Sequence, residues 1–256
     1  MNPFKERLLN GEKMIGIEVT TNDIVISDAL GRLGFDYFWI DTEHTVMDYQ
    51  NVIQHIISAK ANHVTSLVRV PWNESYLAKR ILEYEPDGII FPMIGSVEEA
   101  KEAMSACLYP PRGTRGFGPR RAIGYGTEPL EHFLKHADDR VCRFIQIEHF
   151  EAVKVLEDIL KVPGIDGVII GGNDLSGSIG RMTDLMHPES LALIDEIIAK
   201  CKAAGVPVGT ALASMEGKDL QFWYDRGYQF VSSGSDISTM MESASRLQKT
   251  MHDIFK

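Results

Sequence analysis

An α/β (β/α)₈ barrel is the fold class this sequence predicts, on three observations. Short β-rich runs alternate with amphipathic stretches from one end of the chain to the other. The alternation repeats eight times, and 256 residues is about the length such a barrel needs. The runs are mostly continuous apolar stretches rather than alternating ones, as expected of strands covered by helices on both faces. No linker, tandem repeat or low-complexity segment intervenes, so residues 1–256 read as one barrel domain. An open doubly wound sheet is the rival architecture, because local pattern does not register closure.

The first unit pairs MIGIEV (14–19) with a helical segment over 22–31. YFWI (37–40) follows, then a helix over 48–60 whose Val52, Ile53, Ile56 and Ile57 share one face. TSLVRV (65–70) leads into 74–84. GIIFPM (88–93) leads into 96–107, where Ser96 and Glu99 have capping-box spacing. The segment YPPRGTRGFGPRRAIGYG (109–126) breaks the rhythm as a long Gly-, Pro- and Arg-rich loop, either functional or an ordered surface or subunit contact. CRFIQI (142–147) then pairs with 150–160, and GVIIG (167–171) with 188–204. That helix carries the stripe Leu191, Ile194, Ile197 and Ile198 and stops at Gly205, ahead of Pro207. PVGTA (207–211) pairs with 215–226, and QFVSS (229–233) with a last helix over 236–254.

Composition narrows the function classes. With 44% hydrophobic and 24% charged residues the chain is globular. Its net charge of −10 disfavours nucleic acid and anionic membranes as partners. No apolar run approaches the roughly 20 residues that span a bilayer, and the polar N-terminus shows no signal peptide. Three widely spaced cysteines, Cys107, Cys142 and Cys201, fit a reducing cytoplasm and argue against structural zinc.

Barrel chemistry collects where strands end. The fifth strand delivers Gln146 and Glu148, and the sixth runs into Gly171-Gly172-Asn173-Asp174. Two close carboxylates repel unless a hard divalent cation such as Mg²⁺ or Mn²⁺ lies between them. The plainer alternatives are an arginine partner for Glu148 and a helix cap for Asp174. Arg69, in an apolar strand, suits an anionic carboxylate or a developing enolate oxygen, or else pairs with a buried acid. His44 follows Asp41-Thr42-Glu43, so Asp41 could orient its ring as a proton shuttle; a satisfied polar histidine is the plainer role. The glycine-rich pieces match neither a dinucleotide fingerprint nor a phosphate loop. SSGSDIS (232–238) has the make-up of a phosphate site but reads better as an ordinary helix start. None of the 13 lysines falls within a strand or at its exit, which points away from Schiff-base chemistry.

Taken together, FWIDTEH (38–44), VRVP (68–71), FPMIGSVEEA (91–100), YPPRGTRGFG (109–118), IQIE (145–148), GGNDLSGSIG (171–180) and FVSSGSD (230–236) resemble the HpcH/HpaI aldolases. These are class II, metal-dependent 2-oxo acid aldolases related to 4-hydroxy-2-oxoheptanedioate aldolase. The resemblance implies cleavage of a 4-hydroxy-2-oxo acid into pyruvate and an aldehyde, or the reverse, through an enolate stabilised by metal. It implies Glu148 and Asp174 as ligands of Mg²⁺, Mn²⁺ or Co²⁺ with no organic cofactor. Arg69, His44 and Asp41 would be catalytic, and Arg69, Gln146, Asn173, Asp174 and Leu212 would bind substrate. It implies further a homo-hexamer, a trimer of dimers that exchange their last helix. Three departures concern the acceptor. Gly171-Gly172-Asn173 replaces the usual glycine-proline, Glu18 stands where relatives often carry an aromatic, and Glu83 replaces an aspartate donated by a neighbouring subunit. Competing readings are a citrate-synthase-like condensation on the same scaffold and a non-catalytic binding barrel.

Overall fold

The computed structural model describes residues 2–255. Eight parallel strands close into a barrel in chain order: β1 (Met14–Val19), β2 (Tyr37–Asp41), β3 (Thr65–Arg69), β4 (Gly88–Phe91), β5 (Cys142–Ile147), β6 (Gly167–Ile170), β7 (Val208–Leu212) and β8 (Phe230–Ser235). The pairing of β1 with β8 (Met14 opposite Phe230, Gly16 opposite Ser232) completes the ring and excludes the open sheet.

Strand periodicity of two explains both cores. One parity points outward: Ile17, Val19, Phe38, Ile40, Val68 and Ile145 pack beneath the helices. The other parity, with Tyr37, Trp39, Leu67, Ile90, Phe144, Ile169 and Phe230, fills the barrel axis. That inner column is stoppered from below by a helix absent from the sequence reading, α1 (Pro3–Leu9). Its start is legible in hindsight, with proline at the first position and Asn2 accepting hydrogen bonds from the Phe4 and Lys5 amides. The Phe4 ring meets Tyr37, Phe144 and Phe230 edge-on at 5.5, 6.2 and 6.4 Å.

The outer helices are α2 (Ile24–Gly31), α3 (Tyr49–Ala61), α4 (Ser75–Leu82), α5 (Val97–Cys107), α6 (Leu130–His136), α7 (Phe150–Lys154), α8 (Leu156–Ile159), α9 (Gly172–Ser178), α10 (Pro188–Ala204), α11 (Gly217–Asp225) and α12 (Asp236–Phe255). Ser96 caps α5 by accepting from the Glu99 amide, but the Glu99 carboxylate takes the Gly95 amide instead, so the box is half formed. Gly205 ends α10 in the left-handed conformation at φ 69°. The stretch expected as one helix over 150–160 breaks at Val155 into α7 and α8. The irregular loop holds a 3₁₀ turn, Arg121–Gly126, and is pinned outside the barrel. Buried Arg115 donates to the Leu82 carbonyl at 3.1 Å and lies over the Tyr109 ring. All three cysteines are free and buried, and among the described residues no helix is long and apolar enough to cross a membrane.

Candidate active site

A cavity of about 600 Å³ opens at the carboxyl ends of the strands. Size and position are those of a ligand pocket in this architecture. Asp41, His44, Arg69, Gln146, Asn173, Asp174 and Leu212 line it, and so does Glu18. Glu148 is 3% exposed and stands off the wall, against Gln146. No lysine lines the cavity, and no residue of the 109–126 loop does.

Arg69 ends β3 opposite Asp41, which ends β2. Its Nε donates to Asp41 Oδ1 at 2.8 Å, Nη1 lies 2.9 Å from Glu43 Oε2, and the guanidinium rests 5.1 Å from the Trp39 ring centroid. Burial would lower the pKa of Arg69; the hydrogen bond to Asp41 and the charges of Asp41, Glu43 and Glu18 outweigh it, so the group is held firmly cationic. Nη2 makes no hydrogen bond among the described residues.

The expected pairing of the His44 ring with Asp41 is not what forms. Asp41 accepts from the Arg69 Nε and from the backbone amides of Glu43 and His44, so its oxygens are committed to holding the turn. The His44 ring sits at the rim, and its acidic neighbour is Glu43, with Nε2 3.7 Å from Oε2. A spacing of three residues predicted a side-chain contact; the tight turn after β2 turned it into a backbone one. Glu43 was passed over in the sequence although it belongs to the same motif. Burial raises its carboxyl, and Arg69 and His44 pull it back.

On the far side, Glu148 Oε1 accepts from the Met93 amide at 2.6 Å and Oε2 from Gln146 Nε2 at 2.7 Å. Met93 adopts a left-handed φ of 56°, which no sequence pattern foretells. An arginine partner for Glu148 is therefore not found among the described residues. Burial pushes its carboxyl up to about 7; the Met93 amide and the more distant Arg69 pull it back, while the negative charges of Glu43 and Asp174 push it up. Asp174 lies exposed in the first turn of α9 and makes no capping bond, so the cap alternative does not hold either. Gly171 provides the clearance: a Cβ there would lie 2.7 Å from the Glu148 Cβ and 2.8 Å from Gln146 Nε2.

A divalent metal can be tested against these residues. Glu148 is a buried carboxylate near the negative charges of Glu43 and Asp174 that forms no ion pair among the described residues, Arg69 acting on it only at a distance, and the Gln146 Oε1 is buried without a partner. No set of three or more His, Cys, Asp or Glu ligands is gathered among the described residues. Two carboxylates with open positions suit a hard cation that completes its shell with water and substrate oxygens, so the donor set fits Mg²⁺, Mn²⁺ or Co²⁺. The segment Ser232–Ser238 offers no comparable anion site. Asp236 opens α12 and accepts from the amides and hydroxyls of Thr20 and Thr21, tying β1 to the helix.

Comparison with known proteins follows the same lines. The family model for HpcH/HpaI aldolase/citrate lyase matches residues 19–243. A hydroxypyruvate/pyruvate aldolase from Roseobacter denitrificans is 33% identical over 245 residues, covering 95% of this chain and 94% of that protein. A 2-dehydro-3,6-dideoxy-6-sulfogluconate aldolase from Pseudomonas putida is 35% identical over 223 residues, 86% of each. Among solved structures, an HpcH/HpaI aldolase/citrate lyase family protein from Burkholderia cenocepacia superposes with a TM-score of 0.90 at 26% identity, covering 98% of this chain and 100% of that one.

Proposed function

The chain belongs to the HpcH/HpaI aldolase/citrate lyase family, and from that premise we propose how its carbon–carbon lyase chemistry is divided among the side chains at the barrel mouth. The enzyme is an aldolase that breaks or makes the C3–C4 bond of a 4-hydroxy-2-oxo acid, with pyruvate as one product and an aldehyde as the other. The observation that carries the residue assignment is Glu148: buried, flanked by the like charges of Glu43 and Asp174, and in no ion pair among the described residues, with Arg69 offsetting that charge only at a distance.

Glu148 and Asp174 would hold the divalent ion, with the Gln146 amide steadying Glu148. When bound, the ion supplies Lewis-acid stabilisation of negative charge on the 2-oxo oxygen. Arg69 is locked by Asp41 and Glu43, so Nη2 meets that developing charge without reorganising first. The Asn173 and Asp174 amides, in the first turn of α9, would hold the substrate carboxylate, and Leu212 shapes the cavity around the chain beyond C3. His44 handles the proton of the 4-hydroxyl, with the Glu43 carboxylate beside Nε2 favouring the charged ring after transfer. Asp41 is a positioning residue, because its oxygens act through Arg69 and the turn. Incubation with pyruvate and a panel of aldehydes, with and without chelator, tests the reading. Condensation that needs Mg²⁺, Mn²⁺ or Co²⁺ supports it; full turnover in excess chelator rejects it.

The same enzyme works as a homo-hexamer in which dimers exchange α12. Every residue from Thr239 to Phe255 is exposed; Leu247, Met251 and Ile254 follow one another at four and three residues, and Met240 lies two turns before Leu247 on the same face. Such a stripe is the mark of a helix covered by another surface. The free, buried thiols accord with a reducing cytoplasm.

A further inference from the structure

The mouth of the barrel holds one acid that neither the fold nor the chemistry above uses. Glu18 lies on β1 with the inward parity of Met14 and Gly16, opposite Trp39 on one side and Ser235 on the other. Its side chain lines the cavity, yet its carboxyl makes no hydrogen bond or ion pair among the described residues. The acids around it are all committed: Asp41 to Arg69 and to two amides, and Asp236 to Thr20 and Thr21. The hydroxyls level with it at the mouth are used as well, while Ser232 and Tyr37, one inward step below, keep unpartnered hydroxyls. Thr20 Oγ1 donates to Asp236, while Ser235 and Ser238 bond to each other. An uncommitted carboxyl on a cavity wall is costly to hold in place unless a ligand meets it.

Its place in the ring gives the direction. β1 stands four strands from β5 either way round the closed barrel. The end of β5 carries Gln146 and Glu148, with Asp174 just beyond β6. A 2-oxo acid anchored there therefore extends its far end across the mouth toward β1. The cavity, at about 600 Å³, has ample room for a second short substrate beside pyruvate.

We propose that Glu18 selects the aldehyde, accepting one that carries a hydroxyl one or two carbons from its carbonyl and disfavouring one that ends in a carboxylate. This rests on the aldolase reading above and adds the class of the second substrate. A hydroxyl donates to the Glu18 carboxylate and accepts from its protonated form, so the contact survives either state. A carboxylate terminus meets like charge. An ammonium terminus is opposed by Arg69, whose positive charge is felt at Glu18.

Two measurements separate this proposal from the reading beneath it. Deuterium exchange at C3 of pyruvate by the Mn²⁺-loaded wild-type enzyme needs no aldehyde. Its absence overturns the aldolase reading and the acceptor proposal with it. Where exchange occurs, the proposal is tested by ratios of kcat/KM in aldol addition. Wild type should prefer glycolaldehyde to acetaldehyde, and Glu18→Leu should lower that ratio about 10-fold or more, the weight of a hydrogen bond to a charged group. Glu18→Gln, closest to wild type in shape, should raise the ratio of succinic semialdehyde to butanal several-fold by removing the like charge. Exchange in wild type with both ratios within twofold of wild type in the variants overturns the acceptor proposal alone.

Discussion

Replacing Arg69 by lysine keeps the charge and removes the fork. In the native site two different nitrogens reach two different acids, Nε to Asp41 at 2.8 Å and Nη1 to Glu43 at 2.9 Å, while Nη2, unpaired among the described residues, is the atom proposed to meet the substrate. One ammonium cannot occupy three such positions. Arg69→Lys therefore loses at least one charge-assisted hydrogen bond, about 1.5–3 kcal/mol of stability. Arg69→Ala leaves both acids without their cation in a buried setting and should cost about 3–5 kcal/mol. The catalytic effect should exceed the effect on stability. Withdrawing a preorganised donor from a developing oxyanion costs roughly 10²–10³-fold in kcat. The assay is aldol cleavage under saturating Mn²⁺, run alongside urea unfolding of the same preparations, so that lost fold and lost chemistry are read apart. An Arg69→Lys variant that unfolds within about 0.5 kcal/mol of wild type, the spread of an ordinary surface substitution, refutes the structural role of the fork. One that keeps half the wild-type kcat refutes its catalytic role.

Other perturbations reach other parts of the account. Gly171→Ala sets a methyl against Glu148 and Gln146, so Mn²⁺ affinity and turnover should both fall at least tenfold while circular dichroism stays native. Burial raises the Glu18 carboxyl from 4.5 to about 7, so its proton is held more tightly in the folded chain. The folded state is unpenalised below pH 4.5, loses stability as pH rises toward 7, and levels off above. Urea unfolding of Glu18→Gln relative to wild type should therefore gain up to about 3 kcal/mol between pH 4.5 and pH 8; a constant difference refutes the assignment. Phe4→Ala opens the floor of the barrel and should cost about 3–5 kcal/mol by thermal or urea unfolding, with little change in KM. Met251→Glu on the exposed stripe of α12 should shift sedimentation toward smaller species, and a sedimentation profile identical to wild type would contradict the proposed helix exchange.

Legibility differed by scale. Strand positions were visible because most strands are largely apolar runs bounded by turn residues. Thus β1 and β5 run over Met14–Val19 and Cys142–Ile147, as read from the sequence. Closure was inferred from count and length and rests physically on the β1–β8 ladder, a pairing between chain ends that no local window contains. Convergence of Arg69, Gln146 and Asp174 on one cavity followed from strand exits alone, whereas Leu212, which also lines it, came only from the family resemblance. What escaped depended on backbone geometry. The Asp41 oxygens turned toward amides instead of the His44 ring, and the Met93 amide reached Glu148 from a left-handed residue. The Trp39 ring under Arg69 could have been read from parity, two residues before Asp41 on one strand. The short α9 escaped because GGNDLSG is too glycine-rich to look helical.

The account turns on whether Glu148 and Asp174 grip a cation, and a Mn²⁺ titration followed by electron paramagnetic resonance reads that directly. Metal-stripped wild type should bind one Mn²⁺ per chain and broaden its signal when pyruvate is added, while Glu148→Gln and Asp174→Asn should each weaken binding at least 100-fold. Equal affinity in wild type and both variants would contradict it.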